Sequence, residues 1–280
     1  MKNRIIRVFL YFFVLINFKI QPAVIIWDVG ETLIKADKGK IFWHFGALEI
    51  SKYMLGYCIR NGVGITGFSE HMKDLFLSTL SKIPSPWQGI TPNYETLGID
   101  GKPMPTLQRD FLLGRVSSNQ AIEIVEEWVK NNRKYFNSKA QIKLFKKSIK
   151  LYFEPANVKL QKYTPCMELL KKCYLAVDNQ GNRINKCVIL SNWAPDGVPE
   201  LKKEFPDIFK YSDIQIFSGL EDEMKPSSRL FEKCKLLYPN EKEWFFIDDQ
   251  KENLEAALNF GIYGAHPLSA GIMLQSNNII

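Results

Sequence analysis

The sequence is short of the residues that hold metal or staple chains together. Its 280 residues contain only three histidines and five cysteines. His44, His71 and His266 have no ligand spacing, and Cys58, Cys166, Cys173, Cys187 and Cys234 form no C-x-x-C pair. That excludes a zinc site by pattern, and the odd cysteine count argues against a disulfide framework. Internal repeats and low-complexity tracts are absent. So is any apolar run long enough to span a bilayer comfortably; the longest, Val8 to Ile16, is too short. The net charge is +7, but Lys and Arg are scattered, with no basic groove or stacking motif. Nucleic acid is therefore not an expected partner. The lysines of Lys143–Lys150 read as a solvated helix face.

What is there divides into three parts. Lys2, Arg4 and Arg7 precede the apolar run, and small Ala23 follows. Residues 1–23 have the layout of a signal peptide or N-terminal anchor. This reading is preferred to a first amphipathic helix, because a buried strand starts directly afterwards. It predicts an exported or periplasmic protein, touching membrane only through this segment; without it the protein is cytoplasmic.

Residues 24–37 and 160–280 alternate strand and helix. Ala23 to Trp27, Lys186 to Ser191, Asp213 to Ser218 and Trp244 to Asp249 read as strands, and Ile262 to Ala265 begins a fifth. The first, AVIIW, is apolar throughout, as a strand covered on both faces must be. Pro165 to Tyr174, Ser227 to Leu237 and Lys251 to Phe260 read as the intervening helices. This predicts an α/β fold, a parallel Rossmann-like sheet with helices on both faces.

Residues 38–159 differ. Lys40 to Arg60, His71 to Leu80, Asn119 to Asn132 and Ser138 to Phe153 read as helices, joined by connectors that include five prolines between Ile83 and Pro105. This block reads as an inserted, mostly helical domain. Trp43 and Phe45, beside His44, read as packing within it.

Three buried strands end in polar residues: Asp28, Ser191, and the pair Asp248–Asp249. Ligands of open parallel sheets sit beyond the carboxyl ends of the strands, so these residues are expected to converge. Carboxylates there are costly unless paired or bound to a cation, and oxygen ligands of this kind suit Mg²⁺. Lys225, after the third strand, supplies further positive charge.

Four stretches now resemble, in order, the motifs of the haloacid dehalogenase-like superfamily. They are Asp28-Val29-Gly30-Glu31-Thr32-Leu33, then Val188-Ile189-Leu190-Ser191-Asn192, then Met224-Lys225-Pro226-Ser227 with Phe231, and last Phe246-Ile247-Asp248-Asp249-Gln250-Lys251-Glu252-Asn253 followed by Gly261. The insert has the position of the family's helical cap, as in its phosphatase branch. The resemblance implies that Asp28 attacks phosphorus and carries an aspartyl-phosphate. It implies that Ser191, with Asn192, binds the phosphoryl group, and that Lys225 holds Asp28 and the phosphoryl oxygens. It gives Mg²⁺ to Asp28, Asp248, Asp249 and the backbone carbonyl of Gly30. The substrate so implied is a small phosphorylated metabolite, with sugar phosphates among the candidates.

One position departs. The family's phosphatases carry a second Asp where this chain has Gly30. Losing that general acid costs about 10²–10⁴ in rate. Either the substrate has a good leaving group, or another residue such as Glu31 substitutes, or the protein is a feeble enzyme that binds a phosphate ligand. A metal-independent dehalogenase is the rival within the family; the acidic pair Asp248–Asp249 favours metal and phosphate.

Overall fold

The computed structural model describes residues 22–89, 96–98 and 101–280. The predicted N-terminal segment, residues 1–23, lies almost wholly outside the described residues. Among these, no helix is long and apolar enough to cross a membrane.

Five parallel strands form the central sheet: β1 (Ala23–Trp27), β4 (Lys186–Ser191), β5 (Ile214–Phe217), β6 (Glu243–Ile247) and β7 (Tyr263–Ala265). Their order is β5-β4-β1-β6-β7, so β1 is central. Alternate residues of each strand point to opposite faces. Ile25, Trp27, Ile189 and Phe245 join one apolar cluster, while Val24, Ile26, Val188 and Phe246 join another. The first cluster takes in residues of α7 (Cys166–Leu175), α8 (Val198–Glu204), α9 (Pro206–Lys210) and α13 (Ala270–Ser276). The second takes in residues of α11 (Ser228–Leu237) and α12 (Lys251–Leu258). The short α10 (Ser218–Glu221) follows β5 directly. Helices thus cover both faces of a parallel sheet, as the sequence predicts.

A second, two-stranded sheet was not expected. β2 (Ile34–Ala36) and β3 (Gln161–Tyr163) pair antiparallel, Ile34 with Tyr163 and Ala36 with Gln161. The Asp37 amide extends the pairing to the Leu160 carbonyl at 3.0 Å. The chain therefore leaves and re-enters the sheet domain through adjacent strands.

Between them lies the helical insert: α1 (Lys38–His44), α2 (Ala47–Asn61), α3 (Ile65–Leu80), α4 (Thr106–Leu112), α5 (Ser118–Asn131) and α6 (Lys139–Phe153). The single helix expected over Lys40 to Arg60 is two, because Gly46 takes a φ of 84°, outside the helical region. Helix α5 is capped by a reciprocal pair, Ser117 and Gln120. The insert has its own core, in which Leu107, Phe111, Val125, Val129, Phe145 and Phe153 are buried. Phe45 is buried as expected of packing, but Trp43 is 74% exposed. The insert is docked on the sheet domain: Gly114 (φ +75°) lies so close to the Gly219 carbonyl that a Cβ would sit 2.7 Å from that oxygen. The Ser118 amide donates to Asp196 at 2.8 Å and the Ser218 hydroxyl to the Leu112 carbonyl at 2.7 Å. All five cysteines are unpaired.

Candidate active site at the carboxyl end of the sheet

The register of β1 places the site. Trp27 pairs with Ile247 of β6 and Ile189 of β4. One step on, the Asp28 amide donates to the Ile247 carbonyl at 2.9 Å, and Asp28 comes level with Asp248. Ser191 closes β4 on the other side. Asp28, Ser191, Lys225 and Asp248 are all buried.

Lys225 is the hub. Its Nζ lies 2.6 Å from Asp28 Oδ1 and 2.5 Å from Asp248 Oδ2. The Ser191 hydroxyl donates to the same Asp28 Oδ1 at 2.9 Å. Oδ1 thus has both lone pairs engaged, and no hydrogen bond found among the described residues falls on Oδ2. Burial would lower the Lys225 ammonium, but Asp248 and Asp28 outweigh it and hold the group above its usual range. Burial pushes the Asp28 carboxyl up to about 6 against the pull of Lys225, and the charge of Asp248 adds to the rise.

Asp248 and Asp249, adjacent in sequence, do different things. Asp248 accepts from Lys225, from the Gln250 amide at 2.8 Å and from Asn253 Nδ2 at 3.0 and 3.1 Å. A carboxylate has about four acceptor positions, and these four contacts fill them. Asp249 has no such set of side-chain partners among the described residues. Burial, then the charges of Asp28 and Asp248, push its carboxyl up to about 7. Three carboxylates here face one ammonium.

Asn192, expected on the phosphoryl group, is engaged elsewhere. Its Oδ1 accepts from the Lys225 amide at 2.8 Å and its Nδ2 donates to the Lys225 carbonyl at 3.1 Å. The side-chain amide grips the lysine's backbone on both sides and so fixes where the ammonium points. Asn253, part of the fourth motif but given no role from sequence, is buried and holds both oxygens of Asp248. Its place five residues after Asp248 was visible, but its partner was not.

Gly30 is not a conformational necessity. Its φ is not in the left-handed region, and a Cβ there would meet nothing within 4 Å. Glu31, the substitute acid that the sequence suggests, is exposed with a φ of 53° and makes no hydrogen bond with these groups among the described residues. No group of three or more His, Cys, Asp or Glu side chains is gathered as a metal cage among the described residues.

No protein-family model matches the sequence, and no curated protein matches it. Solved structures do. A predicted HAD-like family hydrolase from Porphyromonas gingivalis is 14% identical with a TM-score of 0.48, over 91% of this chain and 98% of that one. A HAD family enzyme from Bacteroides thetaiotaomicron, in complex with magnesium and inorganic phosphate, is 16% identical with a TM-score of 0.46, over 88% and 93%. The L-2-haloacid dehalogenase from Xanthobacter autotrophicus is 13% identical with a TM-score of 0.46, over 87% and 76%. Identities of this size bear on no individual residue.

Proposed function

We propose that the protein is a haloacid dehalogenase-like phosphohydrolase that uses Mg²⁺ and passes through a phosphoryl group on Asp28. The observation that carries this reading is the charge imbalance: Asp28, Asp248 and Asp249 against Lys225 alone. Asp248 is compensated by Lys225 and Asn253. The Asp249 carboxylate is not, and with Asp28 Oδ2 and the Gly30 carbonyl it would make a donor set of oxygens. Mg²⁺ fits such a set, since it is commonly held by one or two carboxylates and keeps waters and substrate oxygens for the rest. The lack of a full side-chain cage is consistent with that. Asp248 is then a positioning residue for Lys225 and not a metal ligand. When bound, the ion would neutralise the phosphoryl oxygens and the two carboxylates.

The chain's own residues do the following. Asp28, at about 6, is a carboxylate at neutral pH. One oxygen of its carboxylate, the one not facing the cation site, forms a bond to phosphorus while the bond from phosphorus to the leaving oxygen breaks, and that leaving oxygen keeps the electron pair. Lys225 spends two of its three N–H donors on Asp28 and Asp248, and the third is left for a phosphoryl oxygen. Water then hydrolyses the aspartyl-phosphate and releases inorganic phosphate. With Gly30 in place of an acid, that position supplies no proton to the leaving oxygen. The favoured substrates are small phosphorylated metabolites whose leaving group departs as a stable anion, such as acyl phosphates. Residues 1–23 add an export or anchoring segment, which mass spectrometry of the mature protein from its host would check.

The test is acetyl phosphate hydrolysis with and without Mg²⁺. Turnover should require the ion and fall by roughly 10³-fold or more in Asp28→Asn, as when a covalent nucleophile is removed. Turnover of a 2-haloacid without Mg²⁺, with acetyl phosphate untouched, would overturn the reading in favour of a dehalogenase.

A further inference from the structure

A cavity of about 510 Å³ lies between the insert and the sheet domain, within the size range of small-molecule sites. It begins beside the active site: Asn192 lines it, and the preceding residue is Ser191, which binds Asp28. Its walls are largely carbon, from Phe76 on α3, Phe111 on α4, Leu151, Tyr152 and Phe153 on α6, and Trp193 after β4.

The polar side chains that line it are mostly spent inside the protein. The Ser148 hydroxyl donates to the Leu144 carbonyl at 3.1 Å. Asn157 Nδ2 donates to the Lys150 carbonyl at 2.9 Å and to Glu154 at 3.3 Å. Asn192 holds the backbone of Lys225. A sugar would bring a hydroxyl on nearly every carbon and find few partners, and each unpaired hydroxyl costs free energy on burial. The exceptions are Lys73 and Gln161, for whose side chains no hydrogen bond is found among the described residues, and Tyr152. The Tyr152 oxygen accepts from Gln108 Nε2 at 2.8 Å, and no acceptor for its own proton is found among the described residues. An ordinary phenol is protonated at neutral pH, so this group is a donor there.

We infer that this cavity takes an apolar leaving group, an aryl or arylalkyl body joined to the phosphoryl group, with at most one acceptor placed to meet the Tyr152 hydroxyl. Sugar phosphates are then poor substrates. This inference rests on the phosphohydrolase reading for its chemistry but not for its binding.

The experiment compares 3-phenylpropanoyl phosphate with acetyl phosphate. Both release an ordinary carboxylate of similar basicity, so the ratio of kcat/KM reads the cavity and not the leaving-group chemistry. The aryl substrate should be better by about 10- to 100-fold, the effect of burying one phenyl ring. Leu151→Glu, which puts a charge into the wall, should bring that ratio close to one. If acetyl phosphate is hydrolysed through Asp28 and the ratio is one or below, the cavity inference is wrong and the phosphohydrolase reading stands. If neither is hydrolysed, that reading falls and binding decides the cavity. Calorimetry with 3-phenylpropylphosphonate and methylphosphonate then applies: tighter binding of the aryl compound, weakened in Leu151→Glu, supports the inference, and equal affinities overturn it.

Discussion

At the carboxyl end of the sheet, polar groups are packed as tightly as a core. Lys225, Asp28, Asp248, Ser191 and Asn253 satisfy one another over distances of 2.5 to 3.1 Å. On the far side of Asn192 the insert presents aromatic rings around open space, and its Ser148 and Asn157 side chains are turned inward on its own backbone. The first region buys fixed geometry by burying charge; the second gains free energy only when something apolar fills it. Buried charge tolerates no missing partner, whereas an apolar wall is graded in its response. Substitutions in the two regions should therefore fail in different ways.

The sharpest break is Lys225→Met. It removes the one ammonium that faces two buried carboxylates, and should destabilise the fold by about 3–5 kcal/mol in a denaturant melt. Adding Asp248→Asn should recover part of the loss. A Lys225→Met protein as stable as the parent would mean the charges are not buried as described. Next comes Gly30→Asp. A side chain at this position meets open space, so the variant should fold normally. It should raise the rate on alkyl phosphates by about 10²–10⁴ and change acyl phosphates little. No gain on alkyl phosphates, in a folded variant, would show that another group already acts as the acid.

The smallest effect is at Asp249. Its folded carboxyl is raised to about 7 from 3.8, so the folded state holds a proton there more tightly than the unfolded state. The stability this confers is complete below the unfolded value and is lost as pH rises through about 7. Without a divalent cation, Asp249→Asn should stabilise the protein near about pH 8 by roughly 1–2 kcal/mol, a figure discounted because the carboxylate is partly solvated. The gain should shrink towards about pH 4. Mg²⁺ should raise the melting temperature of the parent and not of the variant. A variant less stable than the parent at the higher pH would remove the argument for an uncompensated charge.

The strands that carry the site were legible because burial on both faces makes them unbroken apolar runs, and a polar residue ending such a run stands out: Asp28, Ser191 and Asp248 all do. The β2–β3 ribbon was not. IKA and QKY are three residues each, mostly exposed, and far apart in the chain, so neither length nor alternation marks them. Helix α4 hides for a similar reason, being seven residues that follow a proline-rich connector. Roles were harder to read than positions. Nothing local says that Asn192 clasps a backbone 33 residues away, or that of two consecutive aspartates one is saturated with partners and the other is not. The cavity's character also needed the fold, because its wall draws single residues from helices that are distant in sequence.

The β2–β3 ribbon carries a consequence for how the protein could be edited. Asp37 and Leu160, joined by a backbone hydrogen bond, stand side by side although residues 38–159 separate them in the chain. A tight turn linking the two would close the same ribbon as an ordinary hairpin. The sheet would keep its strand order, since none of its five strands comes from the insert. The insert is thus a detachable module at a single doorway, and a different helical module could be spliced there without rethreading the strands that hold Asp28.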